Sequence, residues 1–85
     1  MKRTEVTYGQ LDRVLRSLGY VCRPSKNDPP GRVYEHKKTG SMILLPAFDD
    51  GEQVYEHHLV TVRVELENFG IADPTTFAAK LQKAG

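Results

Sequence analysis

Thr7-Tyr8-Gly9-Gln10-Leu11-Asp12-Arg13-Val14-Leu15-Arg16-Ser17-Leu18-Gly19-Tyr20-Val21-Cys22-Arg23-Pro24 is the stretch whose reading decides the fold, because a helical repeat gives way to a strand inside it. Thr7 and Gln10 have the spacing of a capping box, in which the threonine hydroxyl takes the N3 amide and the glutamine reaches back to the cap amide. Val6 and Leu11 stand where a hydrophobic staple would. Leu11, Val14, Leu15 and Leu18 recur at i, i+3, i+4 and i+7, placing four aliphatic side chains on one helical stripe. Gly19 follows at the position of a left-handed C′ residue. The pattern predicts a helix over 8–18, then a short strand over Tyr20–Arg23 that runs into Pro24.

Downstream, Ser25–Gly31 is a loop, with Asn27, Asp28, Pro29, Pro30 and Gly31 as consecutive turn formers. Arg32–His36 reads as a second strand, Lys37–Gly40 as a turn, and Met42–Leu45 as a third strand closed by Pro46. The unbroken apolar run in that third strand implies burial on both faces. Ala47–Gln53 is an acidic loop. From Tyr55 to Phe69 both periods fit, but fifteen residues is long for a strand, and Gly70-Ile71 has the form of a Schellman ending, so the segment is a helix. Asp73 and Pro74 are an N-cap and N1 pair opening a last helix to about Gln82, which buries Phe77, Ala78 and Leu81. The fold class is α+β.

An 85-residue chain with 39% hydrophobic content makes a single domain, 1–85, since a chain this short buries only about 60 to 65% of its unfolded surface. The one cysteine, Cys22, has no internal partner and reads as a buried structural thiol. No run of about 18 apolar residues and no apolar stretch of signal-peptide length occurs, so the expected location is the cytoplasm, away from any membrane. Residues 1–38 hold nine Lys or Arg against four acids, a net of +5, whereas residues 39–85 carry −4. If the basic half forms one face, that face suits a phosphate backbone; otherwise it is ordinary solvated charge.

Alternation places Arg32, Tyr34 and His36 on one face of the second strand. Turned outward, they offer a phosphate contact, a stacking ring and an imidazole for proton transfer. Turned inward, Tyr34 joins the core with Arg32 and His36 at its margin. His57 and His58 are adjacent, about 100° apart on a helix, and cannot chelate one ion together; they are first-turn surface residues. Asp49, Asp50 and Glu52 match no calcium loop. Glycine-rich phosphate loops, nucleophile elbows and paired-cysteine sites are missing, leaving only metal-free, cofactor-free acid/base chemistry to an enzyme built from this chain.

The helix-strand-strand-strand-helix order resembles the HicA family of small bacterial toxins of toxin-antitoxin systems over about residues 8–71. The resemblance rests on Leu11, Leu15 and Leu18-Gly19-Tyr20-Val21; on Tyr34-Glu35-His36 followed by Lys38-Thr39-Gly40; on Ile43-Leu44-Leu45-Pro46; and on Leu59 through Phe69-Gly70-Ile71. It implies a fold like the double-stranded-RNA-binding domain, α-β-β-β-α, here with an additional C-terminal helix over 72–85. It also implies metal-independent cleavage of messenger RNA by one histidine at the start of the second strand, and a HicB-like antitoxin as partner. Aligned on Tyr34-Glu35-His36, that histidine falls on Gly31, and a one-residue slip offers Pro30 or Arg32. Three functions follow as expectations. The first is a non-enzymatic domain that binds RNA through Lys26, Arg32, Tyr34, Lys37 and Lys38, or binds an antitoxin-like protein. The second is a ribonuclease whose acid/base role has moved to His36, or to His57 or His58. The third is a protein-interaction module, expected if the Arg32-Tyr34-His36 face is buried and the bases are scattered.

Overall fold

Strand Arg3–Thr7 (β1) runs straight into helix Tyr8–Ser17 (α1), and the junction is set by the capping box. Thr7 Oγ1 accepts the Gln10 amide at 3.2 Å while Gln10 Oε1 accepts the Thr7 amide at 2.8 Å. The computed structural model describes residues 2–25 and 31–84. After α1 come strands Val21–Ser25 (β2), Gly31–His36 (β3), Ser41–Pro46 (β4) and Gln53–Tyr55 (β5), then helices Glu56–Asn68 (α2) and Pro74–Lys83 (α3). The α1-β2-β3-β4-α2 core is the α-β-β-β-α arrangement of the double-stranded-RNA-binding domain, with α3 added.

Both long helices end in the same way, and each ending aims the chain. Gly19 and Gly70 take φ of +100° and +66°. The Tyr20 amide reaches the Leu15 carbonyl at 3.0 Å and the Ile71 amide the Leu66 carbonyl at 2.9 Å, with Gly19 to Arg16 and Gly70 to Glu67 inside them. These are complete Schellman motifs. They deliver Tyr20 into the core and Ile71 against it. α3 starts as its sequence implies, Asp73 accepting the Thr76 amide at 2.7 Å ahead of Pro74.

The main sheet is antiparallel in the order β2-β3-β4. Its register stacks Cys22, Tyr34 and Ile43 in one row of the inner face, with Arg32 beside Leu45 and His36 beside Ser41. The outer face carries Val21, Glu35 and Met42, then Arg23, Val33 and Leu44. Helices pack on the inner face around Leu11, Leu15, Val62 and Leu66.

Five details differ from the sequence reading. β4 is buried on one face only, Met42 and Leu44 being 50% and 71% exposed: its apolar run reflects an uncovered outer face, not a second layer. β2 begins one residue later than expected and continues through Pro24, which an edge strand tolerates. β1 and β5 form a separate two-stranded ribbon absent from the sequence reading, which puts Gln53 in the acidic loop and Tyr55 in the helix; Val54 between them is drawn completely into the core. Ala78 is exposed, with only Phe77 and Leu81 of α3 buried. Cys22 is half-buried against the core rather than enclosed.

A side chain at Gly70 must enter a left-handed backbone but meets nothing within 4 Å, whereas at Gly19 its Cβ also comes to 3.0 Å from His36 Nε2. Gly70→Ala is therefore expected to lower stability by about 1 kcal/mol, and Gly19→Ala by more. Urea unfolding followed by circular dichroism ranks the two.

Candidate functional site

The inner face of β3 takes the candidate chemical residues out of solvent. Tyr34 is wholly buried, and its hydroxyl donates to Asp12 Oδ1 on α1 at 2.7 Å. The other Asp12 oxygen holds Arg16 Nε at 2.9 Å. Burial, followed by the adjoining Asp12 carboxylate, raises the Tyr34 phenol far above its ordinary range, so it serves as a donor and never as a base.

His36 is 8% exposed and committed at both nitrogens. Nδ1 accepts the Thr39 amide at 3.3 Å and contacts Thr39 Oγ1 at 3.0 Å, while Nε2 lies 3.0 Å from the Leu18 carbonyl. An amide on Nδ1 makes that nitrogen the acceptor, so Nε2 carries the proton and donates to Leu18. The ring thus ties the end of α1 to the β3–β4 turn. A general base needs a free lone pair within reach of substrate, and this imidazole offers none.

Beside it, Tyr20 Oη meets Ser41 Oγ at 2.7 Å, and Ser41 donates to Glu65 Oε2 at 2.8 Å. Glu65 also takes the Met42 amide at 3.3 Å. Burial raises the Tyr20 phenol as well. This chain of hydrogen bonds joins the α1–β2 junction, β4 and α2, and each member already has its partner.

No family model, curated protein or solved structure matches this chain.

The cationic candidates do not converge. The Arg32 guanidinium lies 4.3 Å from the Phe48 ring centroid, and Phe48 stacks on Tyr8 at 4.4 Å, so both ring faces are occupied. Arg23 pairs with Glu35 on the outer sheet face at 3.1 Å, Arg16 with Asp12, and Arg3 with Glu52 at 3.6 Å. Lys37 and Lys38 are exposed on the β3–β4 turn. Lys26 lies outside the described residues. Among the described residues, Arg3, Arg16, Arg23 and Arg32 are thus engaged on β1, α1, β2 and β3 separately.

Two sites were invisible in the sequence. At the first, the acidic loop caps α1 with its main chain: the Glu52 and Asp50 carbonyls accept the Tyr8 and Gly9 amides at 2.9 and 3.0 Å. Its carboxylates then favour the positive helix end. Gly9 makes room, since a Cβ there would lie 3.0 Å from the Asp50 carbonyl oxygen. The second is an imidazole-aromatic seam in the first turn of α2. Tyr8 Oη lies 2.9 Å from Nδ1 of half-buried His58, and exposed His57 stacks near Tyr55, which Arg3 covers at 4.3 Å. Among the described residues no group of three or more His, Cys, Asp or Glu could hold a metal ion.

Among the described residues, exposed apolar side chains lie on the outer sheet face and, separately, at Val60, Val64 and Phe69 on and just after α2. Val21 is 52% exposed, and with Met42 and Leu44 it surrounds a buried Val33 and the Arg23–Glu35 pair. Val21, Met42 and Leu44 thus leave apolar surface open on β2 and β4 of this face.

Burial, and then the neighbouring His57, depress His58 below the ordinary imidazole value of 6.5. The unfolded chain therefore binds the extra proton first, so this contribution to stability is present above about pH 6.5 and lost as pH falls through the folded value. Stability measured between about pH 7 and 5 should decline, and His58→Gln should flatten that decline. Tyr34→Phe strands Asp12 Oδ1 and is expected to lower stability by about 1 to 2 kcal/mol, read by chemical denaturation.

Proposed function

We propose that this chain is a HicA-like domain that has given up catalysis and works by binding protein, with a HicB-like antitoxin as the partner its fold and sequence order suggest, in the cytoplasm. The observation that carries the reading is the exposed apolar face of β2-β3-β4, with Leu44 71% exposed on its terminal strand β4. Burying one such side chain in an interface contributes about 1.5 to 3 kcal/mol. The opposite face, where Arg32, Tyr34 and His36 would have met RNA, is spent on packing. Among the described residues no helix is long and apolar enough to cross a membrane.

The position that corresponds to the family's histidine supports the loss of catalysis. A Cβ on Gly31 would lie 2.6 Å from the Leu45 carbonyl oxygen, on the neighbouring backbone. No side chain enters there without moving β4. Gly31→His is therefore expected to lower the melting temperature and to leave RNA intact in a gel assay. RNA cleavage by that variant, or by the parent in a manner that His57→Ala or His58→Ala removes, would revive the ribonuclease reading.

Binding is tested by titrating the protein with the HicB-like product of an adjacent gene. Leu44→Asp should weaken the complex about tenfold or more while its circular dichroism stays that of the parent. Unchanged affinity removes the outer face from the proposal. Exposed Lys37 and Lys38 support a second reading, phosphate contact with RNA. Its signature is an RNA affinity that falls with salt at a log-log slope of about 0.7 to 0.9 per contact.

A further inference from the structure

We infer that the outer edge of β4, a terminal strand of the described sheet, pairs antiparallel with β4 of a second copy of this chain, joining two three-stranded sheets into one of six strands. The inference concerns the strand's edge and goes beyond the reading of its outer face. β4 is a terminal strand in the order β2-β3-β4. The other terminal strand, β2, carries Arg23 and Pro24, both of which discourage strand addition. β4 carries no charged side chain of its own, and its one proline, Pro46, is its last residue.

The main chain shows which residues would pair. Strand backbone groups point alternately to the two sides. The Met42 amide goes to Glu65 Oε2, off the sheet, which marks Met42 and Leu44 as the residues whose main-chain groups face outward. With the Met42 amide already engaged and Pro46 lacking one, Leu44 is the natural centre. A two-fold axis there lets Leu44 exchange both hydrogen bonds with its copy. Met42 then faces Pro46 of the other chain, and the exposed Met42 and Leu44 side chains merge into one longer apolar strip.

Charge selects both orientation and partner. β4 is bracketed by exposed Lys37 and Lys38 at its start and by exposed Asp49 and Asp50 just beyond its end. The acidic side is held in place, because the Asp50 carbonyl is fixed to the α1 N-terminus. Antiparallel pairing sets lysines against aspartates at both ends of the shared strand. Parallel pairing would set like against like, which is unfavourable.

Sedimentation equilibrium at rising protein concentration tests the inference, with mass expected to climb towards twice the 9.6 kDa of one chain. K37E/K38E and D49K/D50K should each remain monomeric, since each places like charges across the two-fold. Mixed together they restore opposite charge at both ends, and the mixture should associate at least about tenfold more tightly than either alone, equivalent to about 1.4 kcal/mol. Leu44→Pro, which removes the central amide, should abolish pairing; circular dichroism reports whether that variant keeps its fold, and the charge variants decide the matter if it does not. A parent that stays monomeric at high micromolar concentration overturns the inference. So does a dimer that K37E/K38E leaves unchanged, or a mixture no tighter than its components. K37E/K38E leaves the outer face intact, so loss of self-pairing with retained binding of a HicB-like protein separates this inference from the proposed function.

Discussion

Helices cover one face of the β2-β3-β4 sheet, and the character of nearly every side chain follows from which face it occupies. On the covered face a polar group must find a partner or lose about 1 to 3 kcal/mol. The residues there comply: Tyr34 donates to Asp12, His36 bridges Leu18 and Thr39, and Ser41 links Tyr20 to Glu65. Among the described residues no buried side-chain nitrogen or oxygen lacks a partner. The polar groups thereby tie α1 and α2 to particular rows of the sheet, a specificity that aliphatic packing alone would leave looser.

The same accounting explains the chain's ends. α1 has orphan amides in its first turn like any helix, and two different segments supply the missing acceptors. Thr7 contributes its hydroxyl, and the 47–52 loop contributes the Asp50 and Glu52 carbonyls. Holding that loop against α1 sends the chain back past β1, where Gln53–Tyr55 pairs and Val54 enters the core. The loop's acidity is then compatible with the helix dipole and with Arg3. Gln10 works on both sides, closing the capping box while its amide donates to the Leu81 carbonyl of α3 at 3.3 Å. One helix start thus organises the ribbon, the acidic loop and the added helix.

Catalytic potential depends on access as much as on residue type. An arginine, a tyrosine and a histidine in alternate strand positions have the chemistry to bind and cleave RNA, but only if their free lone pairs and charges face solvent. Here the guanidinium sits on Phe48, the phenol on Asp12, and the imidazole has partners at both nitrogens. Among the described residues, the exposed apolar side chains Val21, Met42 and Leu44 lie on the reverse of the sheet, and the proposed association rests on them.

Local chemistry made much of the fold legible. The capping box at Thr7 and Gln10, the glycines at 19 and 70, and Asp73-Pro74 each act within a few residues, so their spacing alone determined where three helices start or stop. Alternation put Arg32, Tyr34 and His36 on a shared face. Which face that was, alternation cannot say, because its two phases are equivalent until a helix packs on one of them. The apolar run Met42 to Leu45 is the instructive case: hydrophobicity reports a preference for burial, while burial itself depends on whether another layer exists. Val54 and the Asp50 and Glu52 carbonyls depended still more on tertiary structure, since main-chain acceptors and the pairing of β1 with β5 leave no mark in side-chain pattern. The sequence determined the three helices, the three strands of the main sheet and their order; only the three-dimensional packing decided which of its reactive residues would remain available, because availability is set by distant segments closing over a site.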